Sequence, residues 1–287
     1  MKVIKGAEVT AGIQAEIEEE LKQLGGYIPT LAVVRVGERP DDMSYEKNAI
    51  SRMKKFGMGA VTFTYPESVS WEEFSGEFQR INQDDSIDGI LLLRPLPPHL
   101  REKELERMIL PEKDVDGISP ENIAKVFSGD KSGFAPCTAE AVMEVLNRSG
   151  IQIAGKRAVV IGRSMVVGRP LAMMLLAEHA TVTVCHTRTK DLEQTCRQGE
   201  ILVAAAGRAG MVTEEFIGDG VAVIDVGINV NEEGRLCGDV DFQRVSDSGK
   251  AGALTPVPGG VGGVTTAVLG KHLVRAAAEG MRKRGER

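Results

Sequence analysis

The segment that most restricts the fold of this chain is the apolar run Arg157–Ile161, which stops at Gly162 and is followed by Gly168 and Pro170. Short β-branched runs that end at glycine are typical of buried strands, and proline is tolerated in the first turn of a helix. A strand that enters a helix through a glycine turn presents backbone N–H groups and the positive helix end to an anion. The segment therefore predicts a nucleotide site in an α/β fold.

A second apolar run, residues 181–185, follows after one helix length and completes a βαβ unit. It ends in His186-Thr187-Arg188, without the Asp or Glu that usually bonds the ribose 2′-hydroxyl of NAD. Hydroxyl and guanidinium groups suit a 2′-phosphate instead. Arg163, Thr187 and Arg188 therefore favour NADP as the cofactor, although only two of the three glycines of the dinucleotide fingerprint are present.

Composition excludes several classes of protein. A chain of 287 residues with 42% hydrophobic residues is long enough for two cores, which predicts two domains. A formal net charge of −6, without a basic block interleaved with aromatics, argues against nucleic acid as a partner. No apolar run is long enough to span a membrane, and the first residues lack the apolar core of a signal peptide. We therefore expect a cytoplasmic protein.

The spacing of cysteine and histidine indicates neither a metal site nor a disulfide framework. The cysteines contain no Cys-x-x-Cys pair and are expected to be reduced thiols. The histidines lack metal-ligand spacing, and each is expected at the surface or at a cap. We predict no metal. The residues concerned are Cys137, Cys185, Cys196, Cys237, His99, His179, His186 and His272.

The first half of the chain alternates helical and strand patterns. Helices are predicted near residues 7–24, 42–56 and 71–83, and strands near residues 31–36, 60–65 and 89–93. This alternation indicates an α/β layer with a mostly parallel sheet. Prolines at positions 95, 97 and 98 end the last strand, so a loop begins at its carboxyl end, where open α/β sheets bind ligands.

The second half continues the nucleotide-binding pattern. A helix near residues 138–149 leads into it, and further strands are predicted near residues 201–205 and 221–225. A Gly/Pro segment at 255–263 precedes a final helix near residues 265–278.

Seven segments occur in an order that resembles one enzyme family across nearly the whole chain. They are Pro95-Leu96-Pro97, Lys113-Asp114-Val115-Asp116-Gly117, Pro136-Cys137-Thr138, Gly162-Arg163-Ser164 through Gly168-Arg169-Pro170, Asp225-Val226-Gly227-Ile228-Asn229, Gly238-Asp239-Val240 and Thr255-Pro256-Val257-Pro258-Gly259-Gly260-Val261-Gly262. The family is methylenetetrahydrofolate dehydrogenase/methenyltetrahydrofolate cyclohydrolase, the FolD family.

The resemblance implies a homodimer of two-domain α/β subunits, with a tetrahydrofolate derivative in the cleft between an α/β catalytic domain and a Rossmann-type NADP-binding domain. In these terms, residues 1–138 and 265–287 form the folate-binding catalytic domain, to which the C-terminal helix returns. Residues 139–264 form the NADP-binding domain.

The resemblance also implies which residues bind each ligand. Asp116 bonds the pterin ring, since a carboxylate beside an aminopyrimidine accepts paired N–H bonds. Tyr45 packs against the folate and offers its hydroxyl, so Tyr45 and Asp116 are the candidate catalytic residues. Pro258, Gly259 and Gly260 approach the substrate through their backbone. The NADP contacts are Gly162, Arg163, Ser164, Thr187, Arg188 and, through its backbone, Ile228.

Two departures concern the cyclohydrolase residues of the family. The family carries Tyr-x-x-x-Lys, with the lysine one turn after the tyrosine on the same helix face, whereas Ala49 follows Tyr45 here. The family's Gln-Leu-Pro-Leu-Pro is Leu93-Arg94-Pro95-Leu96-Pro97 here, so Leu93 replaces the glutamine that partners this lysine. Both members of one catalytic pair are therefore substituted.

Three nearby cations are candidates to replace the lysine. Lys47 lies about 200° around the helix from Tyr45. Arg52 returns to the Tyr45 face about 10 Å along the axis, but its guanidinium stays protonated. Strand alternation sends Arg94 to the face opposite Leu93. We expect solvated or binding charges, and whether one of them compensates stays open at this point.

These inferences predict NADP-dependent oxidation of 5,10-methylenetetrahydrofolate to 5,10-methenyltetrahydrofolate by hydride transfer, with weak or absent cyclohydrolase activity. Hydride transfer depends on alignment and the exclusion of water, whereas hydrolysis of the methenyl group uses a general base and a polar partner. Two alternatives stay open. One is a fully bifunctional enzyme that also makes 10-formyltetrahydrofolate, and the other is a non-catalytic folate- or nucleotide-binding protein.

Overall fold

The computed structural model describes residues 1–285 and divides the chain into two units. The N-terminal unit comprises Ile13–Cys137 and the chain from Thr266 onward, and the C-terminal unit comprises Met1–Gly12 and Thr138–Thr265. The elements in chain order are β1 Lys2–Val3, α1 Gly6–Gln23, β2 Thr30–Val36, α2 Pro40–Lys55, β3 Gly59–Tyr65, α3 Trp71–Gln83, β4 Gly89–Leu92, α4 Glu102–Met108, α5 Pro120–Ser128, α6 Cys137–Arg148, β5 Arg157–Ile161, α7 Gly168–Ala177, β6 Thr181–Cys185, α8 Leu192–Arg197, β7 Ile201–Ala204, β8 Ala222–Asp225, β9 Asn229–Val230, β10 Leu236–Cys237, α9 Phe242–Asp247, β11 Ala253–Leu254 and α10 Val261–Arg284.

The N-terminal unit is built on a parallel sheet with the strand order β3-β2-β4. The central strand β2 is buried from Leu31 to Val34 because helices cover parallel sheets on both faces. Helix α3 packs Phe74 and Phe78 into the core beneath this sheet. Its start is fixed by Ser70, whose hydroxyl accepts the N–H of Glu73 at 3.2 Å.

The C-terminal unit contains a six-stranded parallel sheet with the order β1-β11-β8-β7-β5-β6. Strands β7 and β8 are buried along their whole length, which explains why their sequences are continuous apolar runs. The carboxyl ends of β5, β6, β7 and β8 lie at one edge because the strands are parallel. This edge carries the predicted nucleotide residues.

The predicted alternation of helices and strands is confirmed in both halves of the chain. The structure differs from the prediction in the placement of residues 1–12, in the bounds of the last helix and in several short elements. Residues 1–12 belong to the C-terminal unit, not with residues 13–138, because β1 pairs with β11 and Ile4 N–H donates to Leu254 O at 2.9 Å. Strand β1 has only two residues, which is too short for a periodic pattern in the sequence. The final helix begins at Val261 and ends at Arg284, so it is longer at both ends than predicted. The sequence did not predict the short elements, which are helices α4, α5, α8 and α9 and strands β1, β9, β10 and β11.

Within residues 1–285, no helix combines the length and the apolarity needed to cross a bilayer.

Candidate functional site

The turn between β5 and α7, predicted to bind a phosphate, brings the start of the helix close to the end of the strand. Gly162 has a φ of +135°, and a Cβ on it would lie 2.2 Å from the carbonyl oxygen of Ala205. A Cβ on Gly168, the first residue of α7, would lie 2.1 Å from the carbonyl oxygen of Gly162. Only glycine allows the helix to begin this close to the strand end. Residues 163–166 of the turn are exposed and accessible to a ligand.

The end of β6 lies beside this turn. Ile161 and Cys185 are register partners, and the N–H of Gly162 donates to the Cys185 carbonyl at 2.9 Å. The exposed side chains of Arg163, Ser164, Thr187 and Arg188 consequently belong to one sheet edge. The turn after β6 is ordered by its own side chains, since His186 N–H donates to the Thr189 hydroxyl at 2.9 Å and Arg188 N–H to His186 Nδ1 at 3.1 Å.

Two buried carboxylates shape the loop that carries Ile228, and sequence reasoning missed their role. The Asp225 carboxylate, 2% exposed, accepts the backbone N–H groups of Gly227 at 2.9 Å, Asp239 at 3.0 Å and Val240 at 2.9 Å. Burial is the largest effect on its pKa and raises the value to about 6, against these hydrogen bonds.

Asp239 holds the neighbouring loop in the same way. Its carboxylate accepts the backbone N–H groups of residues 206, 207 and 208 at 2.5, 3.0 and 2.8 Å, and the side-chain amide of Asn229 at 2.9 Å. A Cβ on Gly227 would lie 2.3 Å from Asp239 Oδ1, and one on Gly238 would lie 1.9 Å from Asp225 Oδ2. The pair therefore fixes the backbone around Ile228, which is 69% exposed. In the sequence, the only indication of this role was that each Asp lies within two positions of a glycine in its matched segment.

The loop of Pro258, Gly259 and Gly260 lies in the C-terminal unit, next to the start of α1. Pro258 and Gly259 are exposed, and Gly259 has a φ of +102°. Its carbonyl accepts the N–H of Gly6 at 2.8 Å. A Cβ on Gly260 would lie 2.4 Å from the Pro256 carbonyl oxygen, and one on Gly6 would lie 2.0 Å from the Gly260 carbonyl oxygen. The loop is thus held by close backbone contacts that need glycine.

In the N-terminal unit, the structure brings Tyr45 and Asp116 together with Cys137, which sequence reasoning had not assigned to the site. Burial raises the pKa of the Tyr45 phenol well above its usual range, and the Asp116 carboxylate and the Cys137 thiol add to the rise. Burial likewise raises the pKa of Asp116, while hydrogen bonds from the thiol and backbone N–H of Cys137 lower it. The signal for Cys137 was the matched segment Pro136-Cys137-Thr138.

Asp114 anchors the turn that presents Asp116. The buried Asp114 carboxylate accepts the backbone N–H groups of Ile118 at 2.9 Å and Ser119 at 2.7 Å. Gly117 follows Asp116 with a φ of +64°, and a Cβ there would lie 2.5 Å from the Phe134 carbonyl oxygen. The backbone on the C-terminal side of Asp116 is therefore held rigidly.

The two substituted positions are apolar and buried. Ala49 lies one turn after Tyr45 on α2 and is 0% exposed. Leu93 follows β4, is 6% exposed, and donates its N–H to the Val34 carbonyl at 2.9 Å. Neither side chain carries a group that binds or transfers a proton.

The three cations near these positions differ in their surroundings. Lys47 is exposed on α2, and the guanidinium of Arg52 lies 5.7 Å from the ring centroid of Phe56. Arg94 pairs with Glu106 at 3.1 Å and Glu102 at 4.0 Å. The charge of Arg94 also lowers the pKa of Asp116, so it acts on the site electrostatically.

The histidine expectation was wrong for one residue. His99 is exposed and His179 lies at the end of α7 with a φ of +67°, as a surface or capping role predicts. His272, however, is 1% exposed within α10.

Among residues 1–285, no three His, Cys, Asp or Glu side chains cluster as a metal site requires. None of the four cysteines is in a disulfide.

Comparison with known proteins decides the family. Residues 4–116 match the model of the tetrahydrofolate dehydrogenase/cyclohydrolase catalytic domain, and residues 136–281 match that of the NAD(P)-binding domain of the same family. The chain belongs to this family. It is therefore an enzyme of the tetrahydrofolate dehydrogenase/cyclohydrolase type, as the matched segments predicted.

Individual relatives extend over nearly the whole chain. The bifunctional protein FolD of Clostridioides difficile is 50% identical over 277 residues, 96% of each chain. The crystal structure of the bifunctional FolD of Campylobacter jejuni matches with a TM-score of 0.93 at 39% identity, and the match covers 97% of this chain and 99% of that one. The Trypanosoma brucei FolD, solved with NADP cofactor and an inhibitor, has a TM-score of 0.91 at 37% identity, with 98% of each chain covered.

Proposed function

We propose that this family member oxidises 5,10-methylenetetrahydrofolate to 5,10-methenyltetrahydrofolate with NADP, and hydrolyses the methenyl product weakly or not at all. The observation that carries the second half of the proposal is Ala49, a fully buried methyl group one turn after Tyr45. Leu93 supports it, because the glutamine position is likewise buried and apolar.

The residues of the C-terminal unit fit NADP. Gly162 and Gly168 let α7 begin close against the end of β5, so the N-terminus of the helix can meet a bound pyrophosphate. Arg163, Thr187 and Arg188 are exposed at the adjacent strand ends and suit a 2′-phosphate, and a carboxylate that would repel it is absent from residues 186–188. Ile228 would contact the cofactor through its backbone. NADP, when bound, supplies the hydride acceptor.

The residues of the N-terminal unit fit the pterin. Asp116 offers two carboxylate oxygens from a turn that Asp114 and Gly117 hold in place, so paired N–H bonds from an aminopyrimidine meet a preorganised acceptor. Tyr45 is a phenol whose pKa burial raises further, so it can pack against the substrate and donate a hydrogen bond. We assign Pro258, Gly259 and Gly260 to backbone contact with the folate.

Hydrolysis of a methenyl cation requires water activation near Tyr45. Ala49 and Leu93 cannot accept a proton, and Lys47 is exposed on α2. Arg94 is paired with Glu106, and a guanidinium group does not act as a general base. The names of the relatives favour the bifunctional alternative, because the Clostridioides difficile and Campylobacter jejuni proteins are both described as bifunctional.

We also infer a homodimer in the cytoplasm from the family resemblance. Light scattering after size-exclusion chromatography tests the dimer, and a mass of one chain, 30.8 kDa, would contradict it.

The deciding experiment measures two rates on the purified protein. NADPH formation with methylenetetrahydrofolate is followed with NADP and, separately, with NAD. Loss of methenyltetrahydrofolate is followed without nucleotide and corrected for spontaneous hydrolysis. We expect oxidation with a preference for NADP and enzymatic hydrolysis at least about 100-fold slower, as loss of a general base implies. Comparable rates would establish the bifunctional alternative, and no NADPH formation would favour a binding protein.

A further inference from the structure

The buried His272 is bonded to the residue that precedes Asp116. Its Nδ1 lies 2.8 Å from the carbonyl oxygen of Val115. A carbonyl oxygen can only accept, so Nδ1 carries a hydrogen and donates it. The bond ties α10 to the N-terminal side of Asp116, opposite the side that Asp114 anchors.

Packing fixes the orientation of this imidazole. The ring of Phe134 lies against it with a centroid separation of 5.1 Å. Arg275, one turn further along α10, places its guanidinium 4.0 Å from the Phe134 centroid and donates to the Gly133 carbonyl at 2.5 Å. The Phe134 ring thus contacts both the Arg275 guanidinium and the His272 imidazole. These contacts oppose rotation of the imidazole away from Val115.

The Cys137 thiol donates to the same carbonyl, with Sγ 3.2 Å from the Val115 oxygen. Sγ is also 3.7 Å from His272 Nδ1, so both donors converge on one carbonyl. An N–H donor at 2.8 Å is much stronger than a thiol. Two donors therefore hold the Val115 carbonyl, and the imidazole is the stronger of them.

We propose that His272 is a positioning residue for the Asp116 carboxylate, acting through the carbonyl of Val115, the residue directly before it. The inference rests on the proposed role of Asp116 in pterin binding and deepens it. It predicts that changes at His272 weaken the binding of folate and leave the binding of NADP unchanged.

The test is steady-state kinetics of NADPH formation by four variants. His272→Leu removes the donor and should raise the KM for methylenetetrahydrofolate about tenfold, as expected when one hydrogen bond between the pterin and the Asp116 carboxylate is lost. The KM for NADP should stay within about twofold, since NADP is assigned to residues of the other unit. His272→Asn keeps an N–H near the Nδ1 position and should recover most of the affinity, whereas His272→Gln extends the amide by one bond and should not. His99→Leu is the matched control, because it removes an exposed imidazole that also bonds a backbone carbonyl, that of Val69 at 3.0 Å.

A double-mutant cycle with Cys137→Ala then separates this path from general damage. Because both residues donate to the Val115 carbonyl, their effects should be coupled, so the KM of the double variant His272→Leu/Cys137→Ala should depart from the product of the two single effects. An unchanged folate KM in His272→Leu would overturn the proposal, as would equal values in His272→Asn and His272→Gln, or effects that multiply in the double variant. If His272→Leu does not fold, the comparison of Asn with Gln decides. A wild-type protein without NADPH formation would instead refute the proposed function.

Discussion

Ala49→Lys combined with Leu93→Gln should restore hydrolysis of the methenyl product. Position 49 lies about 6 Å along the helix axis from Tyr45 and about 40° around it. Side chains on a helix lean toward its N-terminus, so a lysine at position 49 extends back over the turn of Tyr45. A glutamine at position 93 follows a strand end whose backbone is already fixed by the bond to Val34.

The size of the effect follows from burial. Ala49 and Leu93 are 0% and 6% exposed, so an ammonium group at position 49 would lose hydration. Burial lowers the pKa of a lysine toward neutrality, which is the range that a general base needs. We therefore expect hydrolysis to increase by about 10²–10⁴-fold. Overpacking at position 49 costs about 1–3 kcal/mol, which lowers the Tm by about 2–4 °C for each kcal/mol.

The assay follows the methenyl absorbance without nucleotide, with NADPH formation measured in parallel on the same preparation. Each single substitution should give a small part of the gain, and Lys47→Ala should not reduce hydrolysis because Lys47 is exposed. A folded double variant that retains oxidation but gains no hydrolysis would refute the reasoning about positions 49 and 93. So would strong hydrolysis by the wild-type protein.

Three further results are expected. Arg163→Ala should raise the KM for NADP about tenfold and that for NAD less than about twofold, since only NADP carries the 2′-phosphate; equal effects would contradict the cofactor assignment. Gly168→Ala should lower stability by about 2 kcal/mol or more, because its Cβ would lie 2.1 Å from a backbone oxygen, whereas Gly76→Ala in α3 has open space and should stabilise by about 0.5–1 kcal/mol in urea titrations. The pKa of Asp225 is raised by burial from 3.8 to about 6, so between these values the folded protein binds more protons than the unfolded chain. The wild-type protein should thus gain up to about 3 kcal/mol over Asp225→Asn as the pH falls from 7 to 4, and a constant difference in unfolding free energy would refute this.

Elements long enough for a repeating pattern could be predicted from the sequence. Helices α1, α2 and α3 and strands β2 and β5 each bury one face or a whole run, so their apolar spacing indicates both type and position. Short elements such as β1 and α8 carry too few residues for a period. Their existence depends on partners, as the pairing of β1 with β11 shows.

The candidate site divides in the same way. Gly162, Arg163 and Thr187 follow two neighbouring parallel strands, and parallel strands bring their carboxyl ends to one edge. Asp225 and Asp239 could not be paired by this rule, because their contact forms across a loop and depends on glycines that admit a carboxylate against the backbone.

By itself, the sequence determined the alternation of strands and helices, the glycine turn at Gly162 and the apolar side chains at positions 49 and 93, because these depend on local spacing and residue identity. Only the tertiary structure decided that residues 1–12 pair with the C-terminal sheet, and that His272 meets the Cys137 thiol from 135 positions away. Such contacts form when buried polar groups must find partners within a packed core, and no local pattern specifies which partner is near.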